Sequence, residues 1–250
     1  MKAIILCAGK GERLRPITEA IPKPMIPINN KPVLEYLVLL CRKHNITEIA
    51  INTSYLPEKI KSYFGDGSKF GVKINYSFEQ NLLGTSGALN NFRDFFKEPF
   101  FVIYGDNITD LNLTKMLKFH KEKKGKGTLY LYREKITDKK TGAGYVTINK
   151  NNQIEAIVEK PKEEELEKLN QIFSEKKFFN AGVYILEPEV LKIIPEGFSD
   201  FAKDIFPKVL MSDNLYGYKE NCYFKEVGQF IRYQKAKEEV ESGKIKFDFI

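Results

Sequence analysis

The chain has 250 residues, 42% of them hydrophobic and 29% charged, with a formal net charge of +7. That length suits one large α/β domain or two small ones with a substantial core, in a composition ordinary for a globular protein. The apolar stretch at Met1–Cys7 is too short for a signal h-region, and the densest apolar run, Tyr36–Cys41, is far too short to span a bilayer, so a cytoplasmic protein without a membrane partner is expected. Three scattered cysteines, Cys7, Cys41 and Cys222, match neither a zinc spacing nor a disulfide framework and read as small buried hydrophobes. The positive charge could serve nucleic acid, lipid or anionic metabolites. Its densest stretch, Lys121–Lys126, sits at a helix end before a glycine turn, and no nucleic-acid module is recognisable, which favours small anionic substrates.

Strands and helices alternate through the first half. Lys2–Ala8 is an apolar run ending at Gly9 and reads as a buried strand. Pro32 opens a helix with Val33, Leu34, Leu37, Val38 and Cys41 on one face, and His44 lies near its end. Ile46–Asn52 predicts a strand, Pro57–Phe64 a short helix, Val72–Phe78 a strand and Thr85–Phe96 a helix. Phe100–Tyr104 predicts a fourth strand, and Leu113–Lys121 a helix whose apolar face His120 continues. This alternation argues for a mostly parallel sheet covered on both faces. Beyond Gly127 the pattern turns strand-rich, with Thr128–Tyr132, Gly144–Ile148, Ile154–Val158 and Ala181–Leu186. Glu163–Lys177 reads as a charged, exposed helix, and Ser199–Leu210 as a helix kinked by Pro207. A final helix would turn Phe230, Tyr233, Ala236 and Val240 inward. No linker divides the chain. A single domain is expected, with residues 1–126 serving mainly a nucleotide and residues 127–250 mainly an acceptor.

The loop Gly9-Lys10-Gly11-Glu12-Arg13-Leu14-Arg15-Pro16 follows the first strand. Glycines there let backbone N–H groups approach phosphate oxygens, and two arginines suit a triphosphate tail. The loop is no Walker A sequence, and Leu14 stands where a dinucleotide fingerprint needs its third glycine. By itself it reads equally as a tight turn with solvated arginines. Lys23 lies between Pro22 and Pro24 on a stretch that the prolines should hold extended, where it could be a fixed positive charge.

Leu6-Cys7-Ala8-Gly9-Lys10-Gly11-Glu12-Arg13-Leu14-Arg15-Pro16, followed by Pro22-Lys23-Pro24-Met25, resembles the signature of the nucleotide-sugar pyrophosphorylases. These nucleotidyltransferases couple nucleoside triphosphates to sugar 1-phosphates. The resemblance implies a Rossmann-like α/β/α fold with a mixed, mostly parallel sheet. It places Leu6, Ala8, Gly9, Gly11, Glu79, Gly84 and Thr85 around the nucleotide, Arg13 on the leaving pyrophosphate and Lys23 at the reacting phosphates. Asp106 ends the buried run Phe100–Tyr104 and could hold Mg²⁺ against a triphosphate. The family's second metal carboxylate, an Asp in Asp-Ile-Gly, corresponds to Glu226 of Glu226-Val227-Gly228-Gln229, whose extra methylene changes its reach.

Glu79-Gln80-Asn81-Leu82-Leu83-Gly84-Thr85 is similar to the family's base-reading segment. A carboxylate at Glu79 can only accept hydrogen bonds, which favours CTP or GTP with their amino groups. Glu159-Lys160-Pro161 and Asn180-Ala181-Gly182 resemble acceptor motifs, with Lys160 on the acceptor phosphate, Glu159 and Asn180 on polar groups beyond it, and Gly144 lining the pocket. The resemblance thus implies Mg²⁺ as cofactor, a nucleoside triphosphate and a small phosphorylated acceptor as partners, and a homo-oligomer as an open option. Overall the sequence also looks like the capsule-pathway cytidylyltransferases that couple CTP to L-glutamine phosphate, the acceptor expected first. Mannose or heptose 1-phosphate guanylyltransferases are the alternative. A glycosyltransferase would want Asp-X-Asp, which Asp106-Asn107-Ile108 is not, and a non-catalytic nucleotide-binding module would not need Arg13, Lys23 and Asp106.

Overall fold

The structure is a computed structural model that describes residues 1–133, 144–159, 177–212 and 214–250. The strands used below are β1 (Lys2–Leu6), β2 (Glu48–Thr53), β3 (Lys73–Phe78), β4 (Phe100–Tyr104), β5 (Asn107–Thr109), β6 (Gly127–Tyr132), β7 (Tyr145–Ile148), β8 (Ile154–Val158), β9 (Lys177–Leu186), β10 (Leu215–Lys219) and β11 (Phe224–Glu226). The helices are α1 (Val33–Lys43), α2 (Pro57–Phe64), α3 (Leu113–Lys123), α4 (Phe206–Leu210) and α5 (Phe230–Glu241).

Among the described residues nine strands form one mixed sheet in the order β8-β7-β9-β4-β1-β2-β3, with β6 beside β9 and β10 beside β6. The β4-β1-β2-β3 part is parallel, as the alternation predicts. Its middle is apolar on both faces because both are covered: Ala3, Ile4 and Ile5 of β1 are fully buried. Ala3 and Ile5 pack on Leu34, Leu37 and Val38 of α1, whereas Ile4 packs with Leu89, Phe92 and Phe201 on the opposite face. Pro32 caps α1, and Asn45, at φ 47–61 like its fellow turn residues Asn29 and Asn30, carries the chain away from the helix in the left-handed region. A third cluster joins Leu14 of the glycine loop to Ile108, Val227 and Tyr233.

Several expectations need correction. The segment expected as a helix over Thr85–Phe96 is a single α-turn, Gly84–Gly87, followed by a 3₁₀ stretch, Ala88–Phe92. The N–H groups of Ser86 and Gly87 bond to the carbonyl of Ser199, so a tertiary partner takes the place of a continuing helix. Ser199–Leu210 is not one kinked helix. A π-turn over Phe201–Ile205 leads into α4, where Pro207 lies in the first turn and needs no donor. Phe230 does not face the core: it is 52% exposed, while Tyr233, Ala236 and Val240 are buried as expected. The Lys23 stretch is a 3₁₀ turn, Lys23–Met25, flanked by extended residues at Ile21, Pro22 and Ile26. The helix expected over Glu163–Lys177 lies outside the described residues up to Lys177, which begins β9.

Among the described residues no helix is long and apolar enough to cross a membrane. Cys7 and Cys41 are buried as read, and Cys222 is half-buried. Burial, then the Asp106 charge, pushes the Cys7 thiol well above its ordinary value, and burial lifts Cys41 to about 12. Neither is an activated thiolate.

Candidate active site

β1 is the pivot of the parallel sheet. From it the chain winds outward through β2 and β3, then returns to place β4 on the other side. Ligands in such sheets bind beyond the carboxyl ends of the strands at this reversal, and the glycine loop and Asp106 leave β1 and β4 there. The two strand ends are in contact: Gly105 N–H donates to the Leu6 carbonyl at 3.0 Å. A Cβ on Gly105 would lie 2.7 Å from both that carbonyl oxygen and Cys7 Sγ, so only glycine allows the approach.

The glycine loop is held at both ends. Cys7 N–H donates to Asn52 Oδ1 at 2.8 Å, and Leu14, 1% exposed, is sunk in the third core cluster. This explains why Leu14 replaces a third glycine: it anchors the loop. Gly11 sits at φ 69, and a Cβ there would be 2.9 Å from Cβ of Lys23. Gly9 has open space around it.

Lys23 Nζ is ion-paired with Asp106 Oδ2 and lies 3.7 Å from Glu226 Oε1. How Glu226 arrives beside them is decided by strand pairing. β11 pairs antiparallel with β5 in the register Glu226↔Asn107, one residue from Asp106, and Val227 N–H donates to the Asp106 carbonyl at 2.9 Å. Arg13 Nη2 approaches Glu226 Oε1 at 3.8 Å from a side chain 61% exposed. Arg232, not anticipated from the sequence, reaches Glu226 Oε2 at 3.3 Å from the first turn of α5. Burial opposes ionisation of Asp106, but the charge and hydrogen bond of Lys23 outweigh it and hold its pKa below the ordinary value. Burial and the Asp106 charge raise that of Glu226, against the pull of Lys23, Arg232 and Arg13.

Among the described residues no group of three or more His, Cys, Asp or Glu side chains gathers as a metal cage. The donor set nevertheless suits Mg²⁺. Asp106 and Glu226 are hard carboxylates flanking one cation, the Lys23 ammonium, and Mg²⁺ commonly takes one or two protein carboxylates and completes its shell with phosphate and water.

Two cavities meet at this cluster. The first, about 240 Å³, runs from Leu6, Ala8 and Gly9 past Glu79 and Gly84. The second, about 220 Å³, is bounded by Arg13, Gly144, Glu159, Asn180 and Glu226. Thr85, Tyr104 and Asp106 border both. Glu79, 3% exposed, accepts from Asn52 Nδ2 at 2.8 Å through one oxygen and from Leu83 N–H at 2.9 Å through the other. Asn52, unread in the sequence, therefore links the glycine loop to the Glu79 segment.

In the second cavity a Cβ on Gly144 would meet Glu159 Oε2 at 2.3 Å. Asn180 N–H donates to the Gly144 carbonyl, and its side chain bonds Tyr184 Oη at 2.9 Å and Gly182 N–H at 3.1 Å. Gly182, at φ 67, lies within a register shift of β9 between Asn180 and Tyr184, an irregularity that turns Asn180 toward the cavity. Lys160 lies outside the described residues.

The nucleotidyl transferase family matches residues 2–243. The chain belongs to that family. Among its relatives in the nucleotidyl transferase family, a UTP–glucose-1-phosphate uridylyltransferase of Synechocystis is 41% identical over 98% of this chain. The chain spans 65% of the length of that protein. A D-glycero-alpha-D-manno-heptose 1-phosphate guanylyltransferase of Aneurinibacillus thermoaerophilus is 34% identical, with 96% of this chain and 99% of the relative covered. A solved structure from Bacillus anthracis, provisionally assigned as a glucose-1-phosphate thymidylyltransferase and holding sucrose, superposes with a TM-score of 0.83 at 26% identity. It covers 99% of this chain and 97% of the other, which bears out the Rossmann-like nucleotidyltransferase fold.

Proposed function

We propose that the protein transfers a nucleoside monophosphate from a nucleoside triphosphate to a sugar 1-phosphate, releasing pyrophosphate. The observation that carries this reading is the pair of adjoining cavities with Thr85, Tyr104 and Asp106 on their shared wall. A transferase needs two substrates held edge to edge, whereas a nucleotide-binding module needs one pocket. The glycine-loop cavity takes the triphosphate, and the Glu159–Asn180 cavity takes the acceptor.

The acceptor phosphate attacks the α-phosphorus in line with the departing pyrophosphate. A phosphate monoester has a second pKa of about 6, so it is already largely dianionic at neutral pH and needs no general base. This accords with the absence of an activated Cys among Cys7 and Cys41. Catalysis rests on position and on positive charge facing the spreading negative charge. Lys23, freed from Asp106 and Glu226 when phosphates enter, meets the reacting phosphates. Arg13, exposed on the loop, holds the pyrophosphate. Mg²⁺, when bound, would be held by Asp106 and Glu226 and would neutralise phosphate charge. Lys160 binds the acceptor phosphate by its resemblance to the family motif.

The phosphoglutamine acceptor expected from overall resemblance gives way to a sugar phosphate. The relatives described above are named for sugar 1-phosphates. The base preference shifts likewise. Both Glu79 oxygens serve protein donors, so Glu79 fixes Asn52 and Leu83, and the names of the relatives favour GTP or UTP over CTP. Pyrophosphate release should be measured for GTP, UTP, CTP and dTTP against glucose, mannose and heptose 1-phosphates and glutamine phosphate. Turnover with GTP or UTP and a sugar 1-phosphate is expected. Turnover confined to glutamine phosphate would reverse the acceptor reading.

A further inference from the structure

Phe198 is 67% exposed and Leu82 is 40% exposed, yet both border the glycine-loop cavity. Folding leaves these two side chains in water at the rim of one pocket, on backbone tied together by hydrogen bonds. Ser199, fully buried, donates its N–H to the Leu83 carbonyl at 2.9 Å. Its own carbonyl accepts from Ser86 and Gly87 N–H at 3.0 and 3.1 Å, and its hydroxyl meets that of Ser86 at 2.7 Å. A Cβ on Gly87 would lie 2.4 Å from the Gly197 carbonyl oxygen, and one on Gly84 would lie 3.2 Å from the Phe198 ring. The residues on either side of Phe198 are thus strapped to the turn that follows Leu82, and the ring is held beside Gly84 at the cavity mouth.

Other exposed hydrophobics, such as Met211 and Ile231, border neither substrate cavity. An aromatic ring kept in water at the rim of an apolar cavity is suited to a flat ligand group. In a nucleoside triphosphate that group is the base, because the ribose and phosphates are polar. Every base offers a π-face, so such contacts add affinity without choosing among bases.

We propose that Phe198 and Leu82 form an apolar clamp that packs against the base of the bound nucleotide. This rests on the nucleotide reading of the glycine-loop cavity. The clamp supplies base-independent affinity, and the polar groups deeper in the cavity are left to select the base.

The test uses binding, measured by calorimetry with GTP, UTP and inorganic pyrophosphate in the presence of Mg²⁺. Phe198→Ala should weaken both nucleotides about tenfold and Phe198→Leu less, the size expected from losing one stacked ring. Pyrophosphate, which has no base, should bind Phe198→Ala and the wild type alike. Met211→Ala, which removes an exposed side chain that borders neither substrate cavity, should bind like the wild type. The chain contains no tryptophan, so Phe198→Trp places a single reporter in the clamp. Its fluorescence should be quenched saturably by GTP, with the calorimetric Kd. Unchanged nucleotide affinity in Phe198→Ala, or an equal loss of pyrophosphate affinity, would overturn the clamp while leaving the nucleotide site standing. A wild-type protein that binds neither nucleotide would overturn both.

Discussion

Thr85 and Asp200 are joined by a hydrogen bond of 2.8 Å from Thr85 Oγ1 to Asp200 Oδ1, and the same Oγ1 accepts from Phe201 N–H at 2.9 Å. Thr85 borders both cavities, and Asp200 borders the acceptor cavity. One hydroxyl therefore ties the turn that shapes the nucleotide cavity to a carboxylate that faces the other. Thr85→Val keeps the shape but leaves both partners unmatched. It should lower unfolding free energy by about 2 kcal/mol in urea titrations and raise the acceptor KM. Thr85→Ser, which keeps both bonds, should stay close to wild type.

Asp106→Asn leaves the Lys23 ammonium facing a neutral amide and halves the carboxylate pair. Turnover should fall at least about a hundredfold, as when an electrostatic group is removed from a transition state. The far-UV circular dichroism should not change. Near-normal pyrophosphate release by this variant would remove Asp106 from the catalytic machinery.

Asn52→Leu cuts the chain of bonds from Cys7 N–H through Asn52 to Glu79. It strands a buried donor and one oxygen of a buried carboxylate, each costly to leave unpaired. A loss of about 3 kcal/mol in urea is expected, with weaker GTP binding by calorimetry. If stability and GTP affinity both match wild type, Asn52 does not organise the loop.

His120 gives a pH dependence away from the site. It is 1% exposed, with Nδ1 2.8 Å from Thr128 Oγ1 and Nε2 3.1 Å from Glu187 Oε1. Burial depresses its pKa below the ordinary 6.5, against the pull of Glu187. The unfolded chain therefore binds the proton more readily than the folded one. Stability from this group is full above the unfolded pKa of about 6.5 and is lost as pH falls through the folded value. Urea midpoints measured downward from pH 7 should fall more steeply for the wild type than for His120→Asn. Equal slopes would show that His120 takes no part.

The alternation of apolar runs with turn residues was enough to place β1 to β4, α1 and α2 nearly to the residue, because strands buried on both faces and a one-sided helix leave strong local patterns. The glycine loop, Lys23 and Asp106 were legible for the same reason: each is a run of neighbours with a chemical sense. Local pattern failed where a distant partner decided the outcome. Thr85–Phe96 has the residues of a helix, but the Ser199 carbonyl captures its first turn. Phe224–Glu226 is too short to announce a strand, yet its pairing with β5 alone brings Glu226 beside Asp106. Asn52 and Arg232 carry no motif, and their meaning lies in the groups they touch. The sequence by itself determined the parallel sheet and the chemistry offered at its carboxyl edge. Tertiary structure decided which charges meet, that two cavities share one wall and that Phe198 stays in water. Those depend on pairings between distant parts of the chain, such as Ser86 with Ser199 and Asn107 with Glu226, which no local propensity encodes.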